Sequence, residues 1–183
     1  MKATKTLTVT LAAVALLFGT TACNGNTEAQ DKEEIVSLVN DFYDYAAKEE
    51  NSSPLASAVN RLQDETSDEV ALKAVMEAAP EGFKFFDTST TEKGKEAYTF
   101  LGNNHAMLII DGKTMRIDET AVTVNDDDTA VVDQRKAYVT DTETGREELN
   151  DIPEETYDSY KTIKLTKVED EWLMTPVETY AYK

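Results

Sequence analysis

The chain has one cysteine and one histidine in 183 residues, and half as many basic side chains as acidic ones. Each shortage excludes something. With Cys23 alone, no disulfide can close within the chain. Stability must come from a packed core, which a hydrophobic content of 40% can supply. Eighteen Lys and Arg against 36 Asp and Glu give a net charge of −18. Phosphate contacts need a basic surface, so nucleic acid is not a partner. A helix spanning hydrocarbon needs about 20 apolar residues. The run LTVTLAAVALLF, residues 7–18, has only 12. No Gly-rich phosphate loop, zinc-ligand spacing or nucleophile elbow occurs.

What is present starts with that short run. Lys2 and Lys5 precede it, and no acidic residue occurs before Glu28. A basic start, a short apolar middle and small residues at Thr21 and Ala22 describe a secretory signal peptide. Directly after them stands the sole thiol, in GTTAC. This ending resembles the lipobox of bacterial lipoproteins. The likeness covers residues 20–23, with Thr20 where that family prefers an aliphatic side chain. It implies that Cys23 receives a diacylglyceryl group and that the chain is cut just before it. Two acyl chains hold firmly where one attaches reversibly, at about 0.8 kcal/mol per buried methylene. The implied product is a lipid-anchored protein on the extracytoplasmic face of the cell membrane, with 161 of 183 residues remaining, one domain by length. Losing Lys2 and Lys5 leaves 16 basic against 36 acidic residues, a net charge of −20. An anionic bilayer repels such a domain, so the lipid must hold it there. Cationic partners are favoured.

The polar stretch NGNTEAQD reads as a flexible tether, which puts the domain at 32–183 after a leader at 1–22 and a tether at 23–31. In KEEIVSLVNDFYDYAAKEE, Ile35, Leu38, Val39, Phe42 and Ala46 share one helical face. SSPLASAVNRLQ restarts a helix, with Ser53 as cap and Pro54 at its first position. TSDEVALKAVMEAAPEG has capping-box spacing from Thr66 to Glu69, and Pro80 and Gly82 stop it. The second half changes period. AMLIIDGKTMRI carries Asp111-Gly112, the pair favoured by a two-residue hairpin turn. That turn would set Ile110 opposite Lys113, Leu108 opposite Met115 and His105 opposite Asp118. AVTVNDDDTAVV places Val122 and Val124 before an acidic loop, with Ala130 and Val132 after it, as a second hairpin. A third hairpin turns at Glu169-Asp170 and puts Ile163, Leu165, Trp172 and Met174 on one face. Helices first and hairpins later predict an α+β fold, with N-terminal helices packed on an antiparallel sheet.

Three segments together resemble the nuclear transport factor two-like, or cystatin-like cone, superfamily: EIVSLVNDFYDYAAKEE, AVTVNDDDTAVV and YKTIKLTKVEDEWLMTP. The likeness spans about residues 32–183. It implies a strongly curved sheet around a conical cavity. Members include isomerases, dehydratases and small bacterial lipoproteins, so fold leaves function open.

Two constellations invite chemistry. His105 beside Asp118 could act as a general base, the carboxylate setting its tautomer. Asp126, Asp127 and Asp128 are consecutive, without the alternation, Gly or distant Glu of a calcium loop, and predict an acidic hairpin tip instead. Tyr43, Tyr45, Tyr98 and Tyr138 could line the cavity with hydroxyls at its mouth. No cofactor or metal is expected. Three functions follow: a non-enzymatic binding or accessory module of the cell envelope, taking an apolar small ligand or a cationic envelope protein; a cone-fold isomerase or dehydratase using His105 and Asp118; and a protein-binding module acting through its acidic surface. A filled interior disfavours a small ligand and the enzyme. A deep pocket containing His105 favours the enzyme.

Overall fold

The computed structural model describes residues 27–52, 68–152 and 161–175. The leader, Cys23, the helix predicted from the Ser53 cap to Gln63 and the Thr66 cap lie outside the described residues. Among the described residues the helices come first: α1 (Glu28–Ala46), α2 (Asp68–Ala78), α3 (Pro80–Phe83) and α4 (Thr91–Ile110), with residues 49–52 also helical. The described strands follow: β1 (Lys113–Arg116), β2 (Val122–Val124), β3 (Thr129–Asp133), β4 (Tyr138–Asp141), β5 (Glu147–Leu149), β6 (Thr162–Val168) and β7 (Glu171–Met174). The class is α+β, with N-terminal helices packed against antiparallel sheets.

Helix α1 begins earlier than its apolar stripe suggests. Thr27 caps it, accepting from the Gln30 amide at 3.3 Å. Glu28 and Asp31 sit in the first turn, where the helix dipole favours negative charge. Residues 28–31 are therefore the first turn of α1. Asp31 is buried and accepts from Lys167 Nζ at 2.7 Å and Trp172 Nε1 at 3.0 Å, which clamps the helix start to β6 and β7. The predicted face is otherwise present: Ile35, Val39, Phe42 and Ala46 are buried and Leu38 half-buried.

The hairpin expected at Asp111-Gly112 does not form. Residues 106–110 end α4, whose buried side chains Ala97, Leu101, His105 and Leu108 recur at helical spacing. A type I′ turn needs positive φ at both central residues. Here Asp111 has φ −82° and Gly112 φ +60°. The pair is a helix stop, with glycine in the left-handed position after the cap. Gly94 serves the same helix differently: a Cβ there would lie 2.6 Å from Leu72 Cδ2, so the end of that α2 side chain would have to shift.

The other two hairpins stand as expected. Val122 pairs with Val132 and Val124 with Ala130. Lys167 pairs with Trp172 across a turn whose Glu169 and Asp170 both have positive φ. Ile163, Leu165, Trp172 and Met174 are all buried. The strands form two sheets, β2-β3-β6-β7 and β1-β4-β5. They are two arms of one long ribbon. β1 leads into β2 through the 3-10 turn Glu119–Ala121, and β3 into β4 through Gln134–Lys136. These turns lie against each other, so both strands of the ribbon are interrupted at one level. Asn40 of α1 braces this level, since its side chain accepts from Ile117 N at 2.8 Å and donates to Ile117 O at 3.1 Å.

Candidate functional site

The space between α1 and the sheets is where a cavity was expected. Among the described residues, aromatic side chains of α1, residues 85–86 and α4 pack together beside it. The Phe42 ring centre lies 5.5 to 5.8 Å from those of Tyr43, Phe85, Phe86 and Phe100, in tilted and edge-on arrangements. Tyr43 is fully buried, and its hydroxyl donates to Gln134 Oε1 at 3.0 Å, in the turn between β3 and β4. Burial pushes that phenol well above its ordinary range, so it stays a proton donor. Tyr45 and Tyr98 are half-buried. Tyr138 lies under the Arg116 guanidinium, which is 5.3 Å from its ring centre and also ion-paired with Glu147. The four tyrosines do not share a wall, because Tyr43 is filling and Tyr138 belongs to a β-strand ion-pair cluster.

His105 and Asp118 are not partners. His105 is on a helix, not on a strand facing Asp118. Its Nδ1 donates to the Ala46 carbonyl at 2.6 Å, closing the C-terminus of α1, and its ring centre is 5.7 Å from that of Tyr45. The donation fixes the neutral tautomer with the lone pair on Nε2, which is buried and has no hydrogen-bond partner among the described residues. Asp118 caps the Glu119–Ala121 turn, accepting from the amide and hydroxyl of Thr120. The hydroxyl and amide bonds, with Arg116 and Lys136 nearby, hold its carboxyl below the usual range. A helix in place of the expected strand removed the general-base pair.

Burial lowers the His105 pKa from an ordinary value of 6.5, and the Ala46 bond offsets this only in part. The sign follows. Above pH 6.5 the ring is neutral folded and unfolded, and stability is whole. Below it the unfolded chain takes up a proton that the folded chain refuses, so stability falls until the lower folded pKa is passed. Between pH 7.5 and 5.5 this contributes a loss of no more than about 1.4 kcal/mol, the limit for a ring that stays neutral throughout in the folded chain. Urea midpoints should fall over that range in the native chain and stay level in His105→Gln. Equal slopes in both would show that His105 does not titrate this way.

An open groove of about 530 Å³ lies between α2 and the start of α4. Leu72, Met76 and Pro80 supply apolar surface, Thr88, Thr90 and Thr91 supply hydroxyls, and Glu69, Lys73 and Glu77 supply charge. Asp87 anchors the loop beneath it, accepting from Lys93 Nζ at 2.5 Å and the Ser89 amide at 2.9 Å. Burial pushes the Asp87 carboxyl up, but the Lys93 and Ser89 bonds outweigh it, and the group remains an anion.

The tip at 125–128 is the acidic turn expected, with Asn125 N donating to Thr129 O and Asp128 at φ 56°. Among the described residues no group of three His, Cys, Asp or Glu side chains is placed to hold a metal. Sequence reasoning passed over Asp31, Asn40, Gln134 and the Asp87–Lys93 pair. The first three are polar residues whose partners are distant in sequence, while Asp87 and Lys93 are six residues apart across a loop. Comparison with known proteins gives no match: no family model, no curated protein and no solved structure is similar to this chain.

Proposed function

We propose that this protein is a lipid-anchored lipoprotein on the extracytoplasmic face of the cell membrane. Its domain is cone-shaped and nuclear transport factor two-like, and it acts as a non-enzymatic binding module of the cell envelope. The sole thiol placed directly after a short apolar run and small residues supports the anchor. The interruption of both strands of the β1–β4 ribbon at one level supports the cone. The choice of binding over catalysis is carried by the aromatic filling. A small ligand or substrate would have to displace Phe42 and Tyr43 from the interior, and the one imidazole is committed to Ala46. Recognition then falls to the outside. The partner that suits it is a cationic envelope protein, matched to an acidic surface and seated on the groove beside Met76.

One experiment tests both parts: the host expresses the full chain with a photocrosslinking side chain in place of Met76. The chain is expected in the membrane fraction, with one discrete protein adduct. Cys23→Ser should move it to the soluble fraction and abolish the adduct. Processed chain in the culture fluid with a bare thiol overturns the anchor. A membrane-bound chain that gives no adduct overturns the groove.

A further inference from the structure

The anchored end of the domain has a definite chemistry. Only Asn24, Gly25 and Asn26 separate Cys23 from Thr27, the cap of α1. Four residues of chain reach about 14 Å at most. The first turn of α1 cannot swing away from the domain within that reach, because Asp31 is bonded to both Lys167 and Trp172. The same lysine ties in the turn between β2 and β3: its amide donates to Asp128 O at 2.8 Å. The β6–β7 turn, Glu169 and Asp170, follows directly. One pole of the molecule therefore gathers the start of α1 with two acidic turns. Its charge is negative at close range, since after the Asp31 bond the Glu34 and Asp128 carboxylates also raise the Lys167 pKa. The turn between β4 and β5, with Glu143 exposed, is at the other end of the long ribbon.

We infer that this acidic pole is the face the domain turns toward the bilayer, where a short tether and the repulsion of anionic headgroups hold it at a salt-dependent stand-off. The inference rests on the lipid anchor proposed for Cys23. The tether limit is comparable with the screening length, about 8 Å at physiological ionic strength and about 30 Å at 0.01 M. The tether sets which face looks at the membrane, and the ionic strength sets how near it comes.

Trp172 is the only tryptophan and lies at this pole, so it reports the distance itself. The probe is energy transfer from tryptophan to a dansyl-headgroup lipid in vesicles bearing the chain from Cys23 onward, coupled through its thiol to a maleimide lipid. A Trp172→Phe/Glu143→Trp variant moves the donor to the far turn, and circular dichroism checks that it is folded. In zwitterionic vesicles, transfer from Trp172 should be several-fold more efficient than from position 143. In anionic vesicles at low salt, transfer from Trp172 should drop several-fold and recover as salt is added. Equal transfer from the two positions, or more from position 143, overturns the orientation, and a salt-independent signal from Trp172 overturns the stand-off. If the far-turn variant does not fold, Glu143→Trp with Trp172 retained replaces it, and its added signal must be the weaker one. Coupling is chemical, so this result stands apart from the lipoprotein reading, which the mass of the Cys23 peptide from the native host decides.

Discussion

Phe42→Ala is expected to lower the unfolding free energy by about 3–5 kcal/mol, the usual range for a buried aromatic truncated to alanine. Domains of this size are stable by about 5–15 kcal/mol, so the loss takes a large share of the total. The side chain has no exposed surface, and four aromatic rings surround it. They come from α1 itself, from the segment 85–86 after α3 and from α4, so they cannot all relax into the gap together. Urea titration followed by circular dichroism measures the effect as a lower midpoint at unchanged slope. The cavity left would be apolar and dry, and benzene should restore part of the loss. A change below about 1 kcal/mol would mean that the interior is loosely filled. It would also reopen the space to a small ligand and so weaken the case for recognition on the outside.

Asn40→Ala is expected to cost about 2–3 kcal/mol, because it strips partners from both backbone groups of Ile117 at a partly buried site. Ile117 lies where β1 has ended and β2 has not begun, so the Asn40 side chain takes the place of a neighbouring strand. Asn40→Asp separates the two bonds. The aspartate can still accept from Ile117 N, but as an anion it faces Ile117 O and repels it. Its folded pKa should be raised, so the deficit against the native chain should shrink as pH falls through that value. Denaturation of the three chains at pH 7 and pH 4.5 decides the matter. An Asn40→Asp deficit that does not change with pH would show that the contact to Ile117 O contributes nothing.

Much of the fold was legible where period and turn chemistry agreed over a long enough window. The α1 stripe of Ile35, Val39, Phe42 and Ala46 was readable because burial repeats at helical spacing over three turns. The β6–β7 hairpin was readable because four large apolar side chains fall on one face only in that register. The failure at 106–110 has the same cause in reverse. Five residues cannot distinguish a strand from the end of a helix, and Asp-Gly suits either a hairpin turn or a helix stop. Extending the window back to Ala97, Leu101 and His105 exposes the helical spacing.

By itself the amino-acid order determined the α+β class, the acid excess, the absence of an internal disulfide, two of the three predicted hairpins and the unusual place of the only thiol. These follow from composition and from periods read over neighbouring residues. Tertiary structure alone decided that His105 meets Ala46 and not Asp118, that Phe42 and Tyr43 fill the interior, and that Asp31 ties the start of α1 to β6 and β7. Those pairs lie 59, 91 and 136 residues apart for His105–Ala46, Tyr43–Gln134 and Asp31–Lys167. A contact across such a separation is selected by the packing of the whole chain, and no local pattern encodes it.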